Sequence, residues 1–142
     1  MKRITMMAAS MATLALGMSA AAADDARIEL RDGHLVNGEG MSVYLFEADE
    51  DADGSTCTGA CANAWPPVTS DAAPEAGAGV DQALLGTVER ADGTEQASYG
   101  GWPLYTFVKD KAPGDIEGQD VKGFGAEWYL VTSEGEVMHD ED

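Results

Sequence analysis

Basic residues are scarce in this chain of 142 residues: eight Lys and Arg stand against 26 Asp and Glu. Two of the eight, Lys2 and Arg3, fall at the extreme N-terminus. Beyond Ala23 only Arg27, Arg31, Arg90, Lys109, Lys111 and Lys122 face all 26 acids, a net charge of −20. Such a surface repels nucleic acid and anionic membranes, so neither is expected as a partner. Two causes account for the acidity. One is solubility in a saline habitat, where repulsion is screened over a few ångströms; the other is attraction of cations and basic partners.

Histidine and sulfur are equally thin. Past the first 23 residues the chain has His34 and His139, Met41 and Met138, with no i, i+4 pairing among them. A zinc or copper site needs several such ligands converging, and none is expected. No Ser/His/Asp grouping suggests a nucleophile. Paired carboxylates are abundant, but this acidity produces them by chance and they do not argue for a glycosidase. The glycines of Gly123-Phe124-Gly125 lack the strand–loop–helix frame of a phosphate cradle. The expectation is a non-enzymatic protein without a cofactor.

Long apolar runs are missing as well. The longest follows Lys2-Arg3, runs to about Met18 and ends in Ala21-Ala22-Ala23, too short for a span of roughly 20 apolar residues. A basic start, a short apolar stretch and an A-x-A site are the features of a signal peptide over residues 1–23. The 119 residues left are enough for one domain, 24–142, with a modest core. The protein is expected to be exported, periplasmic or secreted, without a membrane span. No cysteine stands at the cleavage site, so no lipid anchor is expected.

Only two cysteines are present, Cys57 and Cys61. In an exported chain their default state is a disulfide, and a helical turn sets positions four apart at a bridgeable ~6 Å. So small a loop stabilises by roughly 2 kcal/mol on the loop-entropy argument. A redox-active pair usually takes the form C-x-x-C at a helix start, which this is not. Just upstream, Asp49, Asp51 and Asp53 followed by Gly54 begin like a calcium loop, D-x-D-x-D-G. The twelfth position is Ala60 where a bidentate Glu belongs. A solvated acidic loop and a Ca²⁺ site are both open readings, and the missing ligand favours the first.

What the chain does have is β pattern and a repeat. Residues 27–36 are two short β-formers around Asp32-Gly33, a hairpin signal. In Gly40–Asp49 alternation places Val43, Leu45 and Glu47 on one face and Tyr44 and Phe46 on the other. The prolines of Trp65-Pro66-Pro67 donate no hydrogen bond and are expected to leave any ladder. Residues 69–79, TSDAAPEAGAG, read as a flexible connector. At an offset of about sixty the order then recurs: Val88-Glu89 after Ile28-Glu29, Asp92-Gly93 after Asp32-Gly33, Gly101 after Gly40. Tyr105, Phe107 and Asp110 follow Tyr44, Phe46 and Asp49, and Trp128 follows Trp65. No apolar stripe of 3.6-residue period and helix length is present.

Tyr44-x-Phe46-x-x-Asp49 and Tyr105-x-Phe107-x-x-Asp110 fit the pattern Y-x-(F/W/Y)-x-x-D. The surroundings fit too: Cys57-x-Gly59-x-Cys61 before Trp65-Pro66-Pro67, Asp92-Gly93 before Tyr99-Gly100-Gly101, and Gly118-Gln119 before Trp128. With these motifs the chain resembles the predicted bacterial lipoproteins named for that pattern, also called the secreted repeat of unknown function. Many members carry a lipid-modified N-terminal cysteine, which this chain lacks. The resemblance implies an exported two-repeat domain and brings no established activity or ligand.

The expected fold is all-β, a small two-repeat antiparallel domain (sandwich, barrel or blade-like) with a short helical turn near the cysteines. Its repeats are about 27–68 and 84–131. Tyr44, Phe46, Trp65, Tyr105, Phe107 and Trp128 read first as core rings and second as ligand-stacking rings. With Asp49 and Asp110 they are the candidate binding residues. The expected role is an envelope module that binds a small ligand or another protein. The alternatives are a periplasmic redox accessory using Cys57 and Cys61, and a structural protein binding divalent cations through Asp49, Asp51 and Asp53.

Overall fold

The computed structural model of the chain describes residues 27–50, 54–69 and 74–138. The expected signal peptide, Asp51, Asp53 and His139 lie outside them. Among the described residues the fold is all-β and two-repeat, as expected, and forms three small sheets with no closed barrel. Strand β1 (Arg27–Arg31) forms a hairpin with β2 (His34–Asn37), and β3 spans Tyr44–Phe46. One short helix, α1 (Ala60–Ala64), follows Cys57. The second copy supplies β5 (Leu85–Glu89), β6 (Glu95–Tyr99), β7 (Trp102–Pro103), β8 (Val121–Gly123) and β9 (Ala126–Leu130).

The first hairpin turns where Asp-Gly predicts. Asp32 and Gly33 take φ of 55° and 90°, the left-handed pair that a two-residue loop needs to match strand twist. The described part of the 69–79 connector is ordered along a strand edge. Residues Glu75–Ala76 form β4, parallel to β1, and Gly77 N–H donates to Ile28 O at 2.7 Å. Few large side chains were needed there, because backbone hydrogen bonds to an open edge hold the segment, with the Gln82 amide bonding Ala76 N–H and Pro74 O.

The two copies exchange their last strands. β9 of the second copy pairs antiparallel with β3 of the first, Tyr44 opposite Leu130 and Phe46 opposite Trp128. In return, the segment after Trp65 runs beside the second copy: Pro67 bridges Tyr105, Thr106 N–H donates to Pro66 O, and Ala97 N–H to Val68 O. The two prolines thus stay alongside the ladder, against expectation. Each lacks a donor but keeps a carbonyl, and Pro66 serves as an acceptor only.

Alternation in β3 divides the interior in two. Val43 and Leu45 join Ile28, Leu35, Ala97, Tyr99 and Leu104 in one cluster, while Tyr44 and Phe46 face a second, aromatic cluster. Glu47 leaves the pattern, because the chain turns there into a single 3₁₀ turn, Glu47–Asp49.

The β8–β9 hairpin breaks the rule that the first hairpin obeys. Its two-residue turn is Phe124-Gly125, and Phe124 holds φ 58° with its ring 53 % exposed. A bulky residue in that conformation costs roughly 1–2 kcal/mol, with little burial to offset it. Phe124→Asn, which suits the turn, is expected to raise stability in urea by about 1 kcal/mol. A fall in the unfolding midpoint would show instead that the ring packs.

Candidate functional site

The repeated motif places its two tyrosines opposite each other. Tyr44 N–H donates to Tyr105 O at 2.7 Å and Tyr105 N–H to Tyr44 O at 3.0 Å, so the two strand segments meet antiparallel. Their side chains then reach across to the other copy's carboxylate. Tyr44 OH donates to Asp110 Oδ2 at 2.7 Å, and Tyr105 OH donates to Asp49 Oδ2 at 2.7 Å. The second oxygen of each carboxylate closes the loop that follows it. Asp49 Oδ1 accepts from Thr56 N–H and Oγ1, and Asp110 Oδ1 accepts from Glu117 N–H. In both copies the partner lies seven residues on.

The rings obey the same exchange. Phe107, Trp65, Trp128 and Phe46 form one column: 3.8 Å and 12° for the first pair, 3.9 Å and 3° for the indoles, 4.0 Å and 12° for the last. Each phenylalanine therefore stacks on the tryptophan of the other copy. Tyr44 meets Trp65 edge-on at 5.5 Å, and Tyr105 meets Trp128 edge-on at 5.1 Å. All six rings are buried, at 8 % exposure or less. At about 25 cal/mol/Å², burying a ring of 150–250 Å² gives roughly 4 kcal/mol or more of gross transfer energy. The column thus outweighs the disulfide.

Gly118 marks how tightly this centre closes. Its N–H donates to Tyr44 OH at 3.1 Å, and a Cβ there would lie 2.8 Å from both Trp65 Cζ3 and Tyr44 Cζ. Next to it, Gln119 Oε1 accepts from Leu130 N–H and Nε2 donates to Met138 O, both at 2.6 Å. The amide thereby stands in for a strand along β9.

Burial above all pushes both tyrosines well above their ordinary pKa, with Asp110 adding to Tyr44 and Asp49 to Tyr105. Both hydroxyls therefore stay protonated donors. Asp110 is also raised, first by burial and then by the nearby Asp115 and Glu117 charges, while Tyr44 and Glu117 N–H pull it down. The other carboxylate has different surroundings. Ser55 Oγ lies against Tyr105 OH and accepts from Arg90 Nη1 at 2.9 Å; Arg90 also donates to Gln96 Oε1 and Cys57 O, each at 2.9 Å. One guanidinium ties the second hairpin to the cysteine loop. Ser55, Arg90 and Gln96 did not stand out in the sequence; Arg90 was visible only as one of six cations.

Cys57 and Cys61 form a disulfide with Cα atoms 5.2 Å apart, and both lie in the aromatic cluster. Asp49 points inward to Tyr105 and Thr56. Among the described residues no group of three or more His, Cys, Asp or Glu is arranged to hold a metal ion. Separate from the motif, a groove of about 410 Å³ opens between the copies. Asp32 and His34 line it from the first; Gly114, Ile116, Gln119, Leu130 and Met138 line it from the second. His34 is buried, with Nδ1 3.2 Å from Leu35 O. A carbonyl can only accept, so Nδ1 carries a proton, and in the neutral ring Nε2 is the acceptor.

A family model described as a secreted repeat of unknown function matches this chain twice, over residues 26–69 and 86–132. The two matches coincide with the two structural copies. Comparison with curated proteins and with solved structures gives no match.

Two outcomes test the geometry. Tyr44→Phe removes a donor from a buried carboxylate and is expected to cost about 1–3 kcal/mol. In a double-mutant cycle with Asp110→Asn, measured by urea unfolding, the pair should couple by about 0.5–3 kcal/mol; strict additivity would break the proposed contact. The second concerns pH. Because folding raises the Asp110 pKa, the folded state binds more protons between the unfolded and folded values. Its contribution is present below the ordinary carboxylate range and is lost as pH rises through the folded pKa. Asp110→Asn fixes the neutral form. Wild type should therefore lose stability relative to Asp110→Asn on going from about pH 4 to about pH 7, and a gain over that range would contradict the assignment.

Proposed function

Since the chain belongs to the family of secreted repeats of unknown function and is exported, we propose that it is a non-enzymatic binding module of the envelope or the surrounding medium. In this reading the Y-x-F-x-x-D residues clamp the repeats together, and the ligand site is the groove between them. The observation that carries the reading is the groove's construction. Three apolar residues, Ile116, Leu130 and Met138, meet three polar ones, Asp32, His34 and Gln119. A concavity that joins apolar surface to polar groups suits a small molecule with both characters. Ile116 is 47 % exposed although it is large and apolar, which a ligand resting on it would explain.

The polar end sets the ligand class. Asp32 carries negative charge and His34 Nε2 is an acceptor, so the matching group is a hydrogen-bond donor or a cation on an apolar body. The acidic surface favours the approach of such a cation. The motif rings contribute by positioning, since the loop carrying Gly114 and Ile116 is held by Asp110 and Gly118.

A thermal-shift series with small amines and quaternary ammonium compounds tests this. A ligand at about 100 times its Kd stabilises by about 2.7 kcal/mol, a Tm rise on the order of 10 °C. The rise should vanish in Ile116→Lys, whose exposed position tolerates the change and whose ammonium repels a cation. An equal rise in the variant moves the site elsewhere, and no rise with any compound of the class rejects the ligand chemistry.

A further inference from the structure

Contacts between the repeats come in exchanged pairs. Tyr44 meets Asp110 and Tyr105 meets Asp49. Phe46 stacks on Trp128 and Phe107 on Trp65. β9 lies beside β3, and the segment after Trp65 lies beside Tyr105 and β6. A contact set that maps onto itself when the partners are interchanged is the signature of an isologous interface between identical subunits. Here both subunits sit in one chain. We infer that each repeat is a pairing unit whose partner is another Y-x-F-x-x-D repeat, and that the pairing forms between repeats of different molecules as it does within one.

Neither copy is complete by itself. Without the second copy, Tyr44 and Phe46 lose the strand they pair with, Phe46 loses the Trp128 indole, and Asp49 loses its tyrosine donor. The edge of β3 would also be left as a row of unpaired backbone groups. What the partner must offer is therefore specific: a tyrosine hydroxyl, a carboxylate five residues on, and a tryptophan on a strand that can be donated. Only another copy of the repeat has all three at the right spacing.

The peptide link is not one of the exchanged contacts, although the connector also carries β4, which pairs with β1 outside that set. Thr69 is already bridged to Gln96 of the second copy, while β4 returns to pair with β1 of the first. Residues 70–73 join them. The tie acts by raising the local concentration of one repeat around the other, and the contacts themselves are the same in either arrangement.

The test uses the full chain with a protease site inserted between Asp71 and Ala72, and a second version with the site between Ser70 and Asp71. Each is shown to be folded by near-ultraviolet circular dichroism before cutting. After cutting, the two pieces are expected to run as one particle in gel filtration with the dichroism of the stacked indoles unchanged. Isotope-labelled and unlabelled cut protein, mixed through denaturant and returned to buffer, should give hybrid complexes by native mass spectrometry. The same cut chain carrying Tyr44→Phe and Tyr105→Phe should dissociate at a protein concentration at least tenfold higher. Pieces that part on cutting, or that stay together yet never form hybrids, overturn the inference. Unchanged dissociation in the double variant removes the tyrosine–carboxylate pairs from it.

Discussion

Two hydrogen bonds carry the logic of this molecule: each tyrosine of the repeated motif gives its hydroxyl proton to the carboxylate of the opposite copy. A buried carboxylate is tolerable only when its oxygens are satisfied. Asp49 and Asp110 achieve this by taking one donor from the partner copy and the others from their own following loop. Each aspartate thus joins two events, closure of a loop and attachment of the other repeat.

The aromatic column makes the same point through dispersion and burial. Four stacked rings from two copies, alternating in origin at both ends, give a dry centre that the polar pairs flank. The disulfide belongs to this centre but does not define it. It fastens one loop of the first copy, and its stabilisation of roughly 2 kcal/mol is less than the gross burial of one indole. The second copy supplies none, relying on Gly118 and Gln119 to bring its loop against Tyr44 and β9.

The two halves are not equivalent in charge. Tyr105 and Asp49 stand near the Arg90 guanidinium through Ser55. Asp110 stands near Asp115 and Glu117, and its pKa rises. Duplication therefore kept the frame and let the electrostatics diverge. The groove opens on the side of the more acidic loop. Its charged and imidazole groups, Asp32 and His34, come from the first copy, and its apolar residues come from the second.

Local signals were enough to read much of this from the chain. Asp-Gly between β-formers determined the first hairpin, because few residue pairs accept two positive φ angles. Alternation through Val43–Phe46 separated the two interior faces, since strand side chains change sides at each residue. The offset of about sixty revealed two copies, and a spacing of four bridged the cysteines. Tertiary structure alone decided which tyrosine meets which aspartate. Within one copy they stand five residues apart, but the 3₁₀ turn after β3 carries Asp49 to the strand that brings Tyr105. Strand exchange, the strand β4 in a segment that reads as linker, and a groove drawn from Asp32 to Met138 share that origin. They depend on long-range backbone pairing, which leaves no periodic mark on the residues that take part.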